Sequence, residues 1–175
     1  MAYCNNITLK NIPIDCEANV GGIRKVWLTL FEDGIFTLDE AGEAVSGVTV
    51  SGTSWNAFNF RKGSSNMTST LNVDETTGVN YVQTDLAMVF SKMQTEKRTA
   101  VAALAAAQVA GIVLDSNGHY FALGFSEPMG ATAGTGETGT ARGDANQYTI
   151  TLSDIAPSFP YEIPASVIKT LNLPE

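Results

Sequence analysis

Residues 80–93 (NYVQTDLAMVFSKM) alternate almost without a break. Val82, Thr84, Leu86, Met88 and Phe90 fall on one side of a period-two pattern, and Tyr81, Gln83, Asp85, Ala87, Val89 and Ser91 on the other. A helix would mix the two sets, whereas an extended chain keeps them on opposite faces. The segment reads as a strand with one apolar face and one mostly wettable face. At about 3.3 Å per residue it runs about 40 Å, longer than the usual strand of roughly 3–10 residues. A lone domain rarely needs so long a half-wet strand. A wall that encloses water does need one.

The preceding residues 67–74 repeat the pattern, with Met67, Ser69, Leu71 and Val73 set against Thr68, Thr70, Asn72 and Asp74. The short loop 75–79 (ETTGV) joins the two runs, so an extended antiparallel hairpin is expected. Its polar face would gather Thr68, Thr70, Asn72 and Asp74 with Gln83 and Asp85, although alternation alone leaves the register open. Further strands are expected at 23–31, 35–38, 48–50 and 55–60. Asp33-Gly34 is a hairpin signal between the first two, and residues 39–47 form an acidic turn. Residues 61–66 are a turn. In the 55–60 run, Trp55, Ala57 and Asn59 alternate with Asn56, Phe58 and Phe60.

The alanine-rich residues 99–110 predict a helix, because alanine loses no side-chain entropy there. Thr95 is the expected N-cap, Glu96 favours the first turn, and Gly111 is the expected residue just past the end. Val101, Leu104, Ala105 and Val109 form its narrow apolar stripe. Beyond it, residues 112–115 and 119–125 predict a tight hairpin about Ser116-Asn117-Gly118, and residues 148–152 (YTITL) another strand. Three pieces are expected to lack a fold of their own. These are an N-terminal arm (1–22), a Gly/Thr-rich loop (129–143) that is mobile in the free protein, and a Pro-rich arm (153–175) lying on something else. The class is mainly β, a β-sandwich or partial barrel with one flanking α-helix, in a single domain of 175 residues.

A hydrophobic content of 44% supports a core without disulfides or metals, and the formal charge of −8 argues against a surface that grips nucleic acid. It leaves room for a surface past which nucleic acid slides. Cys4 and Cys16 are close enough in sequence to pair, but two free thiols in a reducing cytoplasm is the favoured reading. The opening MAYCNNITLK lacks a basic region followed by an apolar run, so no secretory signal is expected. The longest apolar stretch, 99–113, is too short to span a bilayer.

No constellation of catalytic or ligating residues emerges. The one histidine, His119, lies in a predicted hairpin, and no G-x-S-x-G elbow accompanies it. Asp33, Asp39, Glu40 and Glu43 lack the spacing of a calcium loop and read as a solvated turn. Residues 134–143 (GTGETGTARG) resemble a phosphate loop only in glycine content, having no lysine and no helix after them. Arg142-Gly143-Asp144 is a three-residue match that carries no weight. Asp74, Glu75 and Asp85 form either a negative strip facing water or an ordinary solvated sheet face. The expectation is no enzyme, no cofactor, no metal and no membrane partner.

The order of these elements resembles the tail tube proteins of tailed bacteriophages and the inner-tube proteins of contractile systems. The long strands 67–74 and 81–93, the single helix after them and the glycine- and threonine-rich segment 130–143 carry the resemblance. So does the run Gly143-Asp144-Ala145-Asn146-Gln147-Tyr148-Thr149-Ile150-Thr151-Leu152, which is similar to a closing strand in tail proteins of Bacteroidetes phages. The resemblance implies a virion structural protein, made in the host cytoplasm and resident in the tail. Its partners would be itself, other tail proteins and the genome DNA that passes without specific binding. Identical subunits would form rings, normally sixfold, whose long hairpins complete a barrel between subunits. Thr68, Thr70, Asn72, Asp74, Gln83 and Asp85 would line the lumen. Leu71, Val73, Leu86, Met88 and Phe90 would pack away from it. Gly134, Thr135, Gly136, Glu137, Thr138 and Gly139 would contact neighbouring subunits or rings, and the Pro-rich arm would order on the next ring. The alternatives are a tail or neck adaptor, a decoration protein, or a non-viral β-sandwich binding module.

Overall fold

Alternating side chains govern this architecture. The protein is described here by a computed structural model covering residues 10–14, 16–52 and 54–175, with 45% strand and 10% helix. In chain order the elements are β1 (Ile23–Leu30), β2 (Phe36–Leu38), β3 (Val45–Val48), β4 (Asn56–Asn59), β5 (Asn66–Asp74), β6 (Val79–Ser91), α1 (Thr95–Ala106), β7 (Val109–Asp115), β8 (Tyr120–Leu123), β9 (Gly130–Glu137), β10 (Gln147–Ala156), β11 (Glu162–Ile163) and α2 (Ala165–Ile168). They form a five-stranded sheet, β11-β8-β7-β1-β4, a four-stranded sheet, β5-β6-β10-β9, and the small pair β2-β3. All three are antiparallel and none closes into a barrel.

The two large sheets make a sandwich. Val26, Leu28, Val109, Val113 and Leu123 of the first sheet meet Leu86, Met88, Ile150 and Leu152 of the second, with Leu104 of α1 at the flank. Fully burying such a side chain is worth about 1.5–3 kcal/mol, so this layer is a major stabilising term. Gly111 lies within it because a Cβ there would come within 2.7 Å of Leu28 Cδ2. The other face of the five-stranded sheet is covered too. Trp27, Ala110, Ile112 and Ala122 pack beneath Ile35, Phe36 and Val45. The five-stranded sheet is thus buried on both faces and the four-stranded sheet on one.

Several expectations need correction. Asp33-Gly34 does not join a hairpin. Both edges of β1 are already taken by β4 and β7, so the chain crosses to another layer, where β2 pairs with β3. The strand expected at 48–50 lies earlier, at β3. The helix starts at Thr95 with Gln94 as its uncapped N-cap, and ends at Ala106. Gly111 is a strand residue, and so are Val109 and Ala110. Pairing with β1 and the sandwich core override alanine's helix preference there. Ala105 is exposed, leaving Leu104 as the helix's buried anchor.

The segment 129–143 is not one loop. Met129 is fully buried, and β9 hydrogen-bonds along β10. Gly136 makes room for the Tyr148 ring, 3.0 Å from where its Cβ would stand. Residues 138–146 are the true connection. The C-terminal arm docks on its own subunit. Residues 153–156 extend β10, β11 pairs with β8, and Tyr161, Val167, Ile168, Leu171 and Leu173 pack on the outer core. Trp27 Nε1 donates to the Pro174 carbonyl at 2.9 Å. Residues 16–22 carry no strand, Cys16 is exposed, and its pairing with Cys4 lies outside the described residues.

Candidate functional site

The uncovered face of the four-stranded sheet is the distinctive surface. Strand register fixes its composition. Thr68 stands opposite Asp85, Thr70 opposite Gln83, Asn72 opposite Tyr81 and Asp74 opposite Val79. The expected lumen candidates therefore share one face in adjacent rows. Across β6, Asp85 faces Ser153, Ala87 faces Thr151 and Val89 faces Thr149, and β9 adds Ala133, Thr135 and Glu137. None of these outward side chains is buried, and none is lysine or arginine. The contribution of β10 and β9 was not singled out from sequence, although the alternation of Thr149, Thr151 and Ser153 carries the same signal.

The carboxylates are dispersed. Asp85 accepts from Gln83 Nε2 at 3.2 and 3.3 Å. Glu137 accepts from Gln147 Nε2 at 2.8 Å. Asp74 lies six rows from Asp85, about 20 Å along the strands at roughly 3.3 Å per row. Its Oδ1 accepts from the Thr76 and Thr77 amides at 2.8 and 3.2 Å, and the Thr77 side chain, followed by these amides, holds its carboxyl below the ordinary value. Asp74, Glu75 and Asp85 do not form a paired acid-base group.

The hairpin also extends past the sandwich. Met67 and Ser69 on its inner face are half-buried, but Leu71 and Val73 are 48% and 61% exposed. Leu71 and Val73 therefore do not pack against the second sheet as expected, because no strand of that sheet reaches them. Leu86 and Met88 do pack there, and Phe90 lies against Phe58 and Phe60 at ring distances of 5.9 and 5.7 Å. Both edges of the sheet, β5 and β9, lack a neighbouring strand among the described residues. Neither strand contains lysine or proline, the usual protections of a free edge. Of the six residues expected to contact neighbouring copies, Gly134, Thr135, Gly136 and Glu137 lie along that β9 edge. Thr138 and Gly139 begin the connection to β10.

His119, Asp39, Asp144 and Asp154 each have a hydrogen-bond partner. His119 Nδ1 lies 2.8 Å from Glu162 Oε1, and that hydrogen bond raises the imidazole above its ordinary value. Asp39 Oδ1 accepts from the Glu43 amide at 2.9 Å, and Glu43 pairs with Lys10. Asp144 Oδ2 accepts from the Thr140 and Ala141 amides at 2.7 Å each, closing the Arg142-Gly143 turn. Asp154, buried on the inner face of β10, accepts from the Gly124 amide at 2.9 Å, and burial raises its pKa. Among the described residues no group of three or more His, Cys, Asp or Glu side chains is arranged to hold a metal ion. Among the described residues no helix is long and apolar enough to cross a membrane. No family model matches this chain, and no curated protein or solved structure is significantly similar to it.

Proposed function

We propose that this protein is a structural subunit that assembles edge to edge into rings, and that the rings stack into a tail tube through which DNA passes. One observation carries the reading. The four-stranded sheet is buried on one face, wet and cation-free on the other, and has no neighbouring strand at either edge among the described residues. Joining β5 of one copy to β9 of the next would satisfy both edges and turn the wet faces inward. Six copies of four strands would close a barrel of backbone radius about 24 Å, at a spacing of about 4.8 Å and a tilt of about 40°. A lining of threonine, serine, amides and scattered carboxylates offers phosphate no counter-charge, so DNA would be conducted without being held. Size-exclusion chromatography with light scattering, followed by negative-stain microscopy at high concentration, tests the reading. Rings or tubes are expected. A stable monomer that joins only a different protein would favour an adaptor or decoration subunit.

A further inference from the structure

The four-stranded sheet is electrically polarised along its strands. At one end is the β5–β6 turn, with Asp74 and Glu75 exposed and Val73 and Val79 flanking them at 61% and 50% exposure. The whole hairpin contains no lysine or arginine. At the opposite end, where β6 finishes and β10 begins, lies an open groove of about 580 Å³. Arg61, Lys92 and Lys97 line it, with Val89 and Ala145 as apolar wall. Its one carboxylate, Asp144, accepts from the amides of its own turn and keeps its charge, so the lining carries three cations against one anion. Among the described residues none of the three groove cations is ion-paired with a carboxylate, and Lys97 Nζ donates to the Ser91 carbonyl. Lys92 is held there with φ at +69°, its amide bonded to the Asn146 carbonyl at 2.6 Å.

We propose that the acidic tip of the β5–β6 hairpin of one copy docks in this basic groove of a second copy, so that rings stack head to tail. The inference rests on the tube reading and names the contact that propagates it. Tip and groove lie at opposite ends of the same strands, so the contact is heterologous and builds an open stack, not a closed pair. The overhang gives the tip its reach. The Asp74 and Glu75 carboxylates offset the cationic excess of the groove, and Val73 and Val79 leave water against the apolar wall.

Charge reversal tests the docking. Arg61→Glu and Glu75→Arg are each expected to leave rings intact in negative stain and to raise the concentration needed for stacking roughly tenfold or more, since a small loss per exposed pair repeats around the ring. The double variant Arg61→Glu/Glu75→Arg is expected to recover stacking, and added salt to weaken stacking of the wild type. Rings of both single variants that stack like the wild type would overturn the docking while leaving the tube reading intact. Unchanged stacking of Arg61→Glu with lost retention of duplex DNA would assign the groove to phosphate instead. Wild-type protein that forms no rings at all would overturn the tube reading and the docking with it.

Discussion

At the residue scale, hydrogen-bond partners decide which charges matter. His119 titrates against Glu162, and its raised pKa gives a stabilising contribution that is complete below 6.5 and is lost as pH rises through the folded value. It is the only histidine, so one imidazole signal in a proton NMR titration reports it, and Glu162→Gln should move its midpoint down toward 6.5. Asp154 has the opposite character to the turn aspartates. Its carboxyl is raised by burial, so its ionisation costs stability as pH rises above 3.8 toward the folded value. Asp39, Asp74 and Asp144 are lowered by backbone and turn hydrogen bonds, and their contribution disappears as pH falls through the carboxylate range. Asp154→Asn should therefore gain thermal stability over wild type at pH 7, and the gain should shrink toward pH 4. Denaturation followed by circular dichroism at the two pH values checks this. The partners of Asp39, Asp74 and Asp144 lie within their own turns, whereas His119 to Glu162 and Asp154 to Gly124 join residues far apart in the chain, which only the fold brings together, so these two were not legible in the sequence.

At the element scale, alternation proved the reliable signal. The faces of β6 follow the sequence pattern from Val82 to Met88 and those of β5 from Met67 to Thr70, because a strand's period of two leaves no freedom where one face is covered. Two other elements resisted reading. The alanines beyond Ala106 have helix propensity, but Val109 is paired to Leu30 and buried at the sandwich core. The glycines of β9 suggested a loop, yet Gly136 is what admits the Tyr148 ring beside an edge strand. Deleting residues 134–139 would therefore remove half a strand, not an adaptable loop. The overhang yields a contrast within one hairpin. Leu86→Ala should cost about 2–5 kcal/mol in chemical denaturation, while Leu71→Ser should stay within roughly 0.5 kcal/mol, since Leu86 is fully buried and Leu71 is 48% exposed. Asp85→Lys should leave the fold and the assemblies intact and place a cation on the wet face. Slower DNA release from particles carrying it is the expected outcome, measured by ejection kinetics.

At the scale of the whole molecule, asymmetry between the two large sheets is the organising fact. The five-stranded sheet is covered on both sides, by the other sheet and by the chain's own β2–β3 pair and C-terminal arm. The Pro-rich arm therefore has partners for its apolar residues within its own subunit. Among the described residues the four-stranded sheet has a wet face, two edges without a neighbouring strand and an overhanging turn, and the proposed assembly would cover each with further copies of the same chain. The half-wet character of the long strand was visible in the sequence. The free edges and the charge separation between tip and groove were not, because both depend on which strands become neighbours. Cryo-electron microscopy of concentrated purified protein tests the central claim most directly. The account predicts rings in which β5 of one subunit pairs with β9 of the next, with Thr68, Thr70, Gln83 and Asp85 facing an open lumen. Monomers whose wet sheet face stays turned to bulk solvent at every concentration would contradict it.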